Sequence, residues 1–205
     1  MKPLLILALE HLYLATAGVF LATLVGVPLG ILLTHYRRLA PVVFSLTEMV
    51  QTVPSLGLLA LLLFVFGLGN KTLIAGLLIY SLLPIVRNTY TGIRSIRPEL
   101  IEAGKGMGMT RLQLLTQVEL PIALPVVLGG IRVALITAIG ISTIGVVIGT
   151  GGLGQPIWRG IQMENQGMII QGAATAAALA ILAEILLTAL EQRITPRGLR
   201  KRKAT

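Results

Sequence analysis

The chain has 205 residues, 55% of them apolar and 12% charged, with no cysteine and a formal charge of +9. Its mean hydropathy of +0.87 excludes an ordinary soluble domain, and the missing cysteine excludes disulfides, thiol catalysis and thiolate metal sites. Two isolated histidines make no zinc site without several glutamates around them, and cations without interleaved stacking aromatics exclude a nucleic-acid surface.

A membrane-spanning helix needs about 20 apolar residues, and the first such run covers residues 12–33 without a charge. It exceeds the roughly 7–15 residues of a signal-peptide core, so it is expected to span, with residues 1–10 as a short lead-in along the interface. After His35-Tyr36-Arg37-Arg38 a second span is expected over 42–66, carrying Glu48 and Gln51 and bent at Pro54. Gly67 to Lys71 has the composition of a tight turn, and a third span follows over 72–88. The longest polar stretch then extends to Pro121. The fourth span is placed at 129–148, a loop at 149–167, the fifth span at 168–190 and a basic tail at 191–205. The expectation is one all-α, polytopic membrane domain of about five transmembrane helices.

Sidedness follows from the cations. The segments after the first, third and fifth spans hold 13 of the 17 lysines and arginines. The opposite side holds Lys2, Lys71 and Arg159, while Arg132 lies near the start of the fourth span. Positive charge accumulates on the cytoplasmic face, so the N-terminus is expected outside and the C-terminus inside.

Within the central polar stretch, residues 98–121 predict a helix, a glycine corner and a second helix. Pro98 suits a first turn, and Glu99 and Glu102 complement the helix dipole. Gly104, Gly106 and Gly108 disfavour continuation, and Thr110 with Gln113 forms a capping-box pattern opening a helix at Arg111 that Pro121 should interrupt. The apolar face of that second helix packs either on its own bundle and the lipid headgroups or on a cytoplasmic partner.

Here the residues carry a likeness. Glu102-Ala103-Gly104, three residues, Gly108, nine residues and Val118-Glu119-Leu120-Pro121 resemble the loop signature of permease subunits in bacterial ATP-binding-cassette importers. Gly104 and Val118 stand where that signature has Ala and Ile. Further segments, Gly26 to Gly30, Gln51 to Leu56, Gly149 to Gly154 and Leu190 to Leu199, resemble the osmoprotectant branch, which takes up glycine betaine, choline and carnitine. The resemblance implies the importer permease (MetI-like) fold in a bacterial cytoplasmic membrane. It also implies a coupling role for Glu102, Ala103, Gly104, Gly108, Val118, Leu120 and Pro121. The implied partners are cytoplasmic ATPase subunits that hold ATP and Mg, a second permease copy or paralogue, and an extracytoplasmic solute-binding protein, all beside lipid.

Polar groups inside the spans are costly and invite functional roles. Gln51, Pro54 and Ser55, with Glu48, are expected beside a central path or gate, although Pro bends also serve packing. Arg132 is a candidate partner for Glu48 or Glu184 near the inner interface. The run Gly149 to Gly154 lacks the Lys-Ser/Thr of a phosphate loop. An extracellular turn or binding-protein surface is expected there, with Gln155, Trp158, Arg159 and Glu164 exposed. No nucleotide-binding motif, catalytic triad or metal cluster is visible, so no catalytic residue is assigned and ATP hydrolysis is expected on another polypeptide. Rival readings are the same importer class carrying methionine or another small solute, an ion-coupled secondary transporter using Glu48 and Glu184, and a membrane scaffold.

Overall fold

The computed structural model describes residues 2–194. The basic tail from 195 onward lies outside the described residues. Among those described there is no strand: the elements are α1 (Leu4–His35), α2 (Ala40–Thr52), α3 (Ser55–Phe66), α4 (Asn70–Arg94), α5 (Pro98–Gly106), α6 (Arg111–Leu114), α7 (Leu120–Ser142), α8 (Gly154–Gln162) and α9 (Gln166–Ile194). A π turn, Leu115–Glu119, joins α6 to α7, and a 3₁₀ segment, Thr143–Ile148, extends α7.

Among the described residues four helical runs are long and apolar enough to cross a membrane, and the α2–α3 pair makes a fifth only if its 100° bend is counted as one broken span. The bend is sharper than a kinked span. Pro54 lacks the N–H that would continue the ladder, and Val53 before it is extended, with φ −69° and ψ 128°. Each half is 12 or 13 residues, about 20 Å or less, against a hydrocarbon core of about 30 Å.

Four other boundaries depart from the sequence expectation. Residues 4–10 are not an interfacial lead-in but the first turns of α1, because no breaker follows Pro3 and because Leu7 and Ala8 bury against Leu153 and Ala176. The third span extends to Arg94, and α9 extends through Ile194 into the stretch expected as tail. Pro121 does not end its helix, which runs continuously from Arg111 to Ile148. In an α register the Pro121 ring would meet the carbonyl of Gln117, and the wider π turn just before it relieves that clash.

The core lies where α1, α4 and α7 cross, around Leu14, Val19, Leu73, Leu77, Ile85 and Ile139. Small residues set the approach. A Cβ on Gly18 would meet Leu77, one on Gly26 would meet Ile85, and one on Gly30 would meet Thr89. The two helices advance in step, so they run parallel. Gly92 faces Ala123 and Val126 while Gly130 faces Pro84 and Asn88, so α4 and α7 run antiparallel. With no hydrophobic drive between helices in lipid, such close backbone approach is what makes dispersion and packing effective.

Arg132 of α7 ties on α9. Its guanidinium lies 3.6 Å from Glu184 and 3.2 Å from Glu191, and donates to the Thr188 hydroxyl at 2.7 Å. Glu184, Thr188 and Glu191 are spaced four and three apart, one face of a helix. The expected pairing of Arg132 with Glu184 is present. Its pairing with Glu48 is not, because Arg87 reaches Glu48 first.

Candidate functional site

The segment between α4 and α7 folds as two short helices around one corner. The helix α5 runs through Gly104 and Gly106, so the three glycines do not share the turn. Only Gly108 is left-handed, with φ 80°. The Met109 N–H bonds the Gly104 carbonyl at 3.1 Å and the Gly108 N–H bonds the Lys105 carbonyl at 2.9 Å. This is the Schellman termination, and it requires a residue comfortable at positive φ one place past the Met107 cap.

The capping box expected at Thr110 forms in both directions. The Thr110 N–H donates to the Gln113 side chain at 2.8 Å and the Gln113 N–H donates to the Thr110 hydroxyl at 3.3 Å. The two helices then close on each other through Gly104, which is buried, since a Cβ there would lie 2.6 Å from Leu114. Leu114 thus occupies the space that the signature's third alanine would need. Glu102, Ala103 and Gly108 are exposed, Val118 and Leu120 are half-buried, and Pro121 is exposed. At the corner Met107 is 76% exposed and Leu112 70% exposed, two apolar side chains beside a charged end of the molecule.

The α2–α3 bend opens a second feature, a cavity of about 610 Å³ lined by Gln51, Pro54 and Ser55 together with Tyr80, Arg87 and Asn88. Two prolines explain its polar wall. Pro84 leaves the Tyr80 carbonyl without its helical donor, and the Gln51 side-chain amide donates to that oxygen at 3.1 Å. In return the Tyr80 hydroxyl donates to the Val53 carbonyl in the break. Gln51 and Tyr80 therefore brace the bend from both sides, and each gives a donor to a carbonyl that the prolines leave free. Glu48, one turn before Gln51, forms an ion pair with Arg87.

At the other end of α7, about 35 Å away along its 23 residues, the glycine run is not the exposed surface expected. Thr150, Gly152, Leu153 and Gly154 are buried, because α1 reaches this end of the bundle and His11 fills the loop. Where α7 tightens to 3₁₀, the Thr143 N–H turns to the Gly140 carbonyl, and the Ile139 oxygen accepts from His11 Nε2 at 2.9 Å. The Leu153 N–H donates to His11 Nδ1 at 3.4 Å. Beyond the loop, Trp158 is 41% exposed, Arg159 and Glu164 are exposed, and Gln155 is half-buried. Gln155, Trp158 and Arg159 share a face of α8, while Glu164 sits past its end with φ 52°.

Sequence reasoning did not anticipate His11, Tyr80 or the Phe44–Arg87 contact, in which the guanidinium lies 5.4 Å from the ring centre. A lone histidine in an apolar run and a proline four residues after a tyrosine were the available signals.

The model of the family described as binding-protein-dependent transport system inner membrane component matches residues 26–197. The chain is 49% identical to the choline transport system permease protein OpuBD of Bacillus subtilis, over 91% of this chain and 83% of that protein. It is 48% identical to the glycine betaine/carnitine/choline transport system permease protein OpuCD of the same organism, over 91% and 82% of the two chains. Among solved structures, an inward-facing MetNI methionine ABC transporter chain superposes with a TM-score of 0.82 at 25% identity, covering 96% of this chain and all of that one.

Proposed function

Because the chain belongs to the family of binding-protein-dependent transport system inner membrane components, we propose that it couples ATP hydrolysis on separate cytoplasmic subunits to the uptake of quaternary-ammonium compatible solutes. It is a multi-pass permease component of an osmoprotectant-type importer of the ATP-binding-cassette class, not itself an enzyme. The cargo proposed is glycine betaine, choline, carnitine or a near analogue, supported by the names of its relatives.

One observation carries the coupling role: Met107 and Leu112 stand exposed on a corner held rigid by a helix termination and a capping box. Exposed apolar side chains flanked by Lys105 and Arg111 are placed for a protein groove. The excess of lysine and arginine in the segments after the first, third and fifth apolar runs supports a cytoplasmic position for this corner, with the N-terminus outside. ATP-driven closure of the ATPases, which hold ATP and Mg, pulls the corner, and the π turn and α7 carry the movement to the bend at Pro54. Glu48, Gln51, Pro54 and Ser55 then line the path of one half of a two-permease pathway. Gln155, Trp158, Arg159 and Glu164 form the rim that meets a solute-binding protein.

The test is Gly108→Trp in the full importer reconstituted in vesicles. Solute uptake is expected to fall by about tenfold or more while ATP hydrolysis persists, since the substitution removes the left-handed corner. Wild-type uptake by this variant overturns the coupling assignment. Competition of labelled uptake by betaine, choline and methionine separately tests the cargo.

A further inference from the structure

The ion pair Glu48–Arg87 stands on an aromatic step. Phe44 and Glu48 are one helical turn apart on α2, and Arg87 of α4 bonds Glu48 while its guanidinium lies 5.4 Å from the Phe44 ring centre. Tyr90 packs edge-on against Phe44 at 5.3 Å between ring centres. The pair is half exposed, at 50% and 46%, and among the described residues Arg87 is also the one charged residue lining the cavity under the bend. A cation is thus already held by a π face and a carboxylate at the edge of a cavity whose other polar lining groups are neutral.

A quaternary ammonium has no N–H to donate, so a π face and a carboxylate are the protein groups that recognise it. From this geometry we infer that Phe44, Glu48 and Arg87 form a transient cargo site on the permease in which a zwitterionic quaternary ammonium solute exchanges places with the ion pair. The solute's ammonium takes the position over Phe44 and beside Glu48, and its carboxylate takes the released Arg87 guanidinium. Both partners are neutral overall, so neither charge of the half-exposed pair loses its counter-ion during the exchange. Choline carries no carboxylate and leaves Arg87 uncompensated, so this site ranks zwitterions above simple cations. The inference rests on the cargo class proposed above.

The experiment measures uptake of labelled glycine betaine and labelled choline by the complete importer in ATP-loaded vesicles, with one wild-type binding protein throughout. The quantity read is the choline-to-betaine ratio within a single preparation, so differences in assembled complex cancel. Arg87→Gln frees Glu48 for a simple cation and removes the carboxylate's partner, and is expected to raise the ratio about tenfold; Glu48→Gln is expected to lower it by a similar factor. Arg87→Lys keeps the ion pair but loses the planar stacking, and gives a smaller rise where Arg87→Gln does not assemble. Opposite signs in the two neutral variants support the site, because a purely structural brace would depress both solutes alike. An unchanged ratio in both variants, with wild-type uptake of both solutes intact, overturns the site alone. A wild-type importer that moves neither solute overturns the cargo reading and the site with it.

Discussion

Most glycines at the two ends of α7 serve opposite purposes, the exceptions being Gly104, closed against Leu114, and Gly149, left-handed with open space. At the end that carries α5 and α6, Gly106 and Gly108 have open space where a side chain would sit, and Gly108 is selected for its left-handed backbone. At the far end, Gly145, Gly151, Gly152 and Gly154 have no such space, because Thr150, Glu10, His11 and Thr143 already fill it. The first end is a rigid corner with its surface unspent, and the second is a closed joint between α1, α7 and α8. A corner with free surface suits contact with another protein, whereas a joint without it holds the bundle together. Composition alone cannot separate these uses, since both stretches are simply glycine-rich.

The largest effect that could break this comparison is expected at Gly154. A Cβ there would overlap the Thr143 carbonyl oxygen and lie 3.0 Å from its carbon, so the obstacle is backbone that cannot rotate away. Gly154→Ala should cost about 3 kcal/mol or more, at the upper end of overpacking penalties, a large share of the roughly 5–15 kcal/mol that holds a domain folded. The yield of monodisperse detergent-extracted complex measures it. Wild-type yield would mean that the far end is not closed.

His11 should rank second. Replacing it with Ala strips the Ile139 carbonyl and the Leu153 N–H of their shared partner in a buried site, a loss of about 2 kcal/mol. His11→Gln, which restores a donor and an acceptor at similar reach, should recover part of it. Thermal unfolding of the purified complex followed by intrinsic fluorescence gives the order, Ala below Gln below wild type. If Ala and wild type unfold together, the joint is held by packing alone, and the comparison sharpens to one of shape rather than hydrogen bonding.

Much of this contrast was legible in the sequence at the corner and little of it at the joint. The spacing from Glu102 to Pro121 and the Thr110–Gln113 cap are local, so short-range rules located them, and the structure forms the cap as expected. Hydropathy likewise located the apolar runs. Local rules failed where a neighbouring element decides the outcome. Pro121 reads as a stop, yet the π turn before it lets the helix pass. Gly149 to Gly154 reads as an extracellular turn or docking surface, yet Gly152 and Leu153 are buried against a histidine about 140 residues away in the chain. Glu48 reads as a partner for Arg132, yet the α2–α4 contact hands it to Arg87. The last two misses concern which helix lies alongside, a quantity that periodicity within one segment does not contain.

The smallest predicted effect has the opposite sign and tests the corner directly. Gly106 is the last residue of α5, its backbone is not left-handed, and no atom lies within 4 Å of where its Cβ would be. Alanine there restricts the unfolded chain without straining the folded one, so Gly106→Ala should stabilise by about 0.5 kcal/mol, or a rise of about 1–2 °C in unfolding temperature. The same substitution at Gly108 should instead lower it, because an L residue at φ 80° costs about 1 kcal/mol. The pair of variants isolates the reason for each glycine: open space is common to both positions, and only backbone conformation differs. If Gly106→Ala destabilises the isolated chain, the corner is more crowded than its geometry implies. If it stabilises the chain and yet slows ATP-driven uptake, the missing side chain is explained by close approach of the ATPase to the α5 end, and the corner's free surface is the coupling contact.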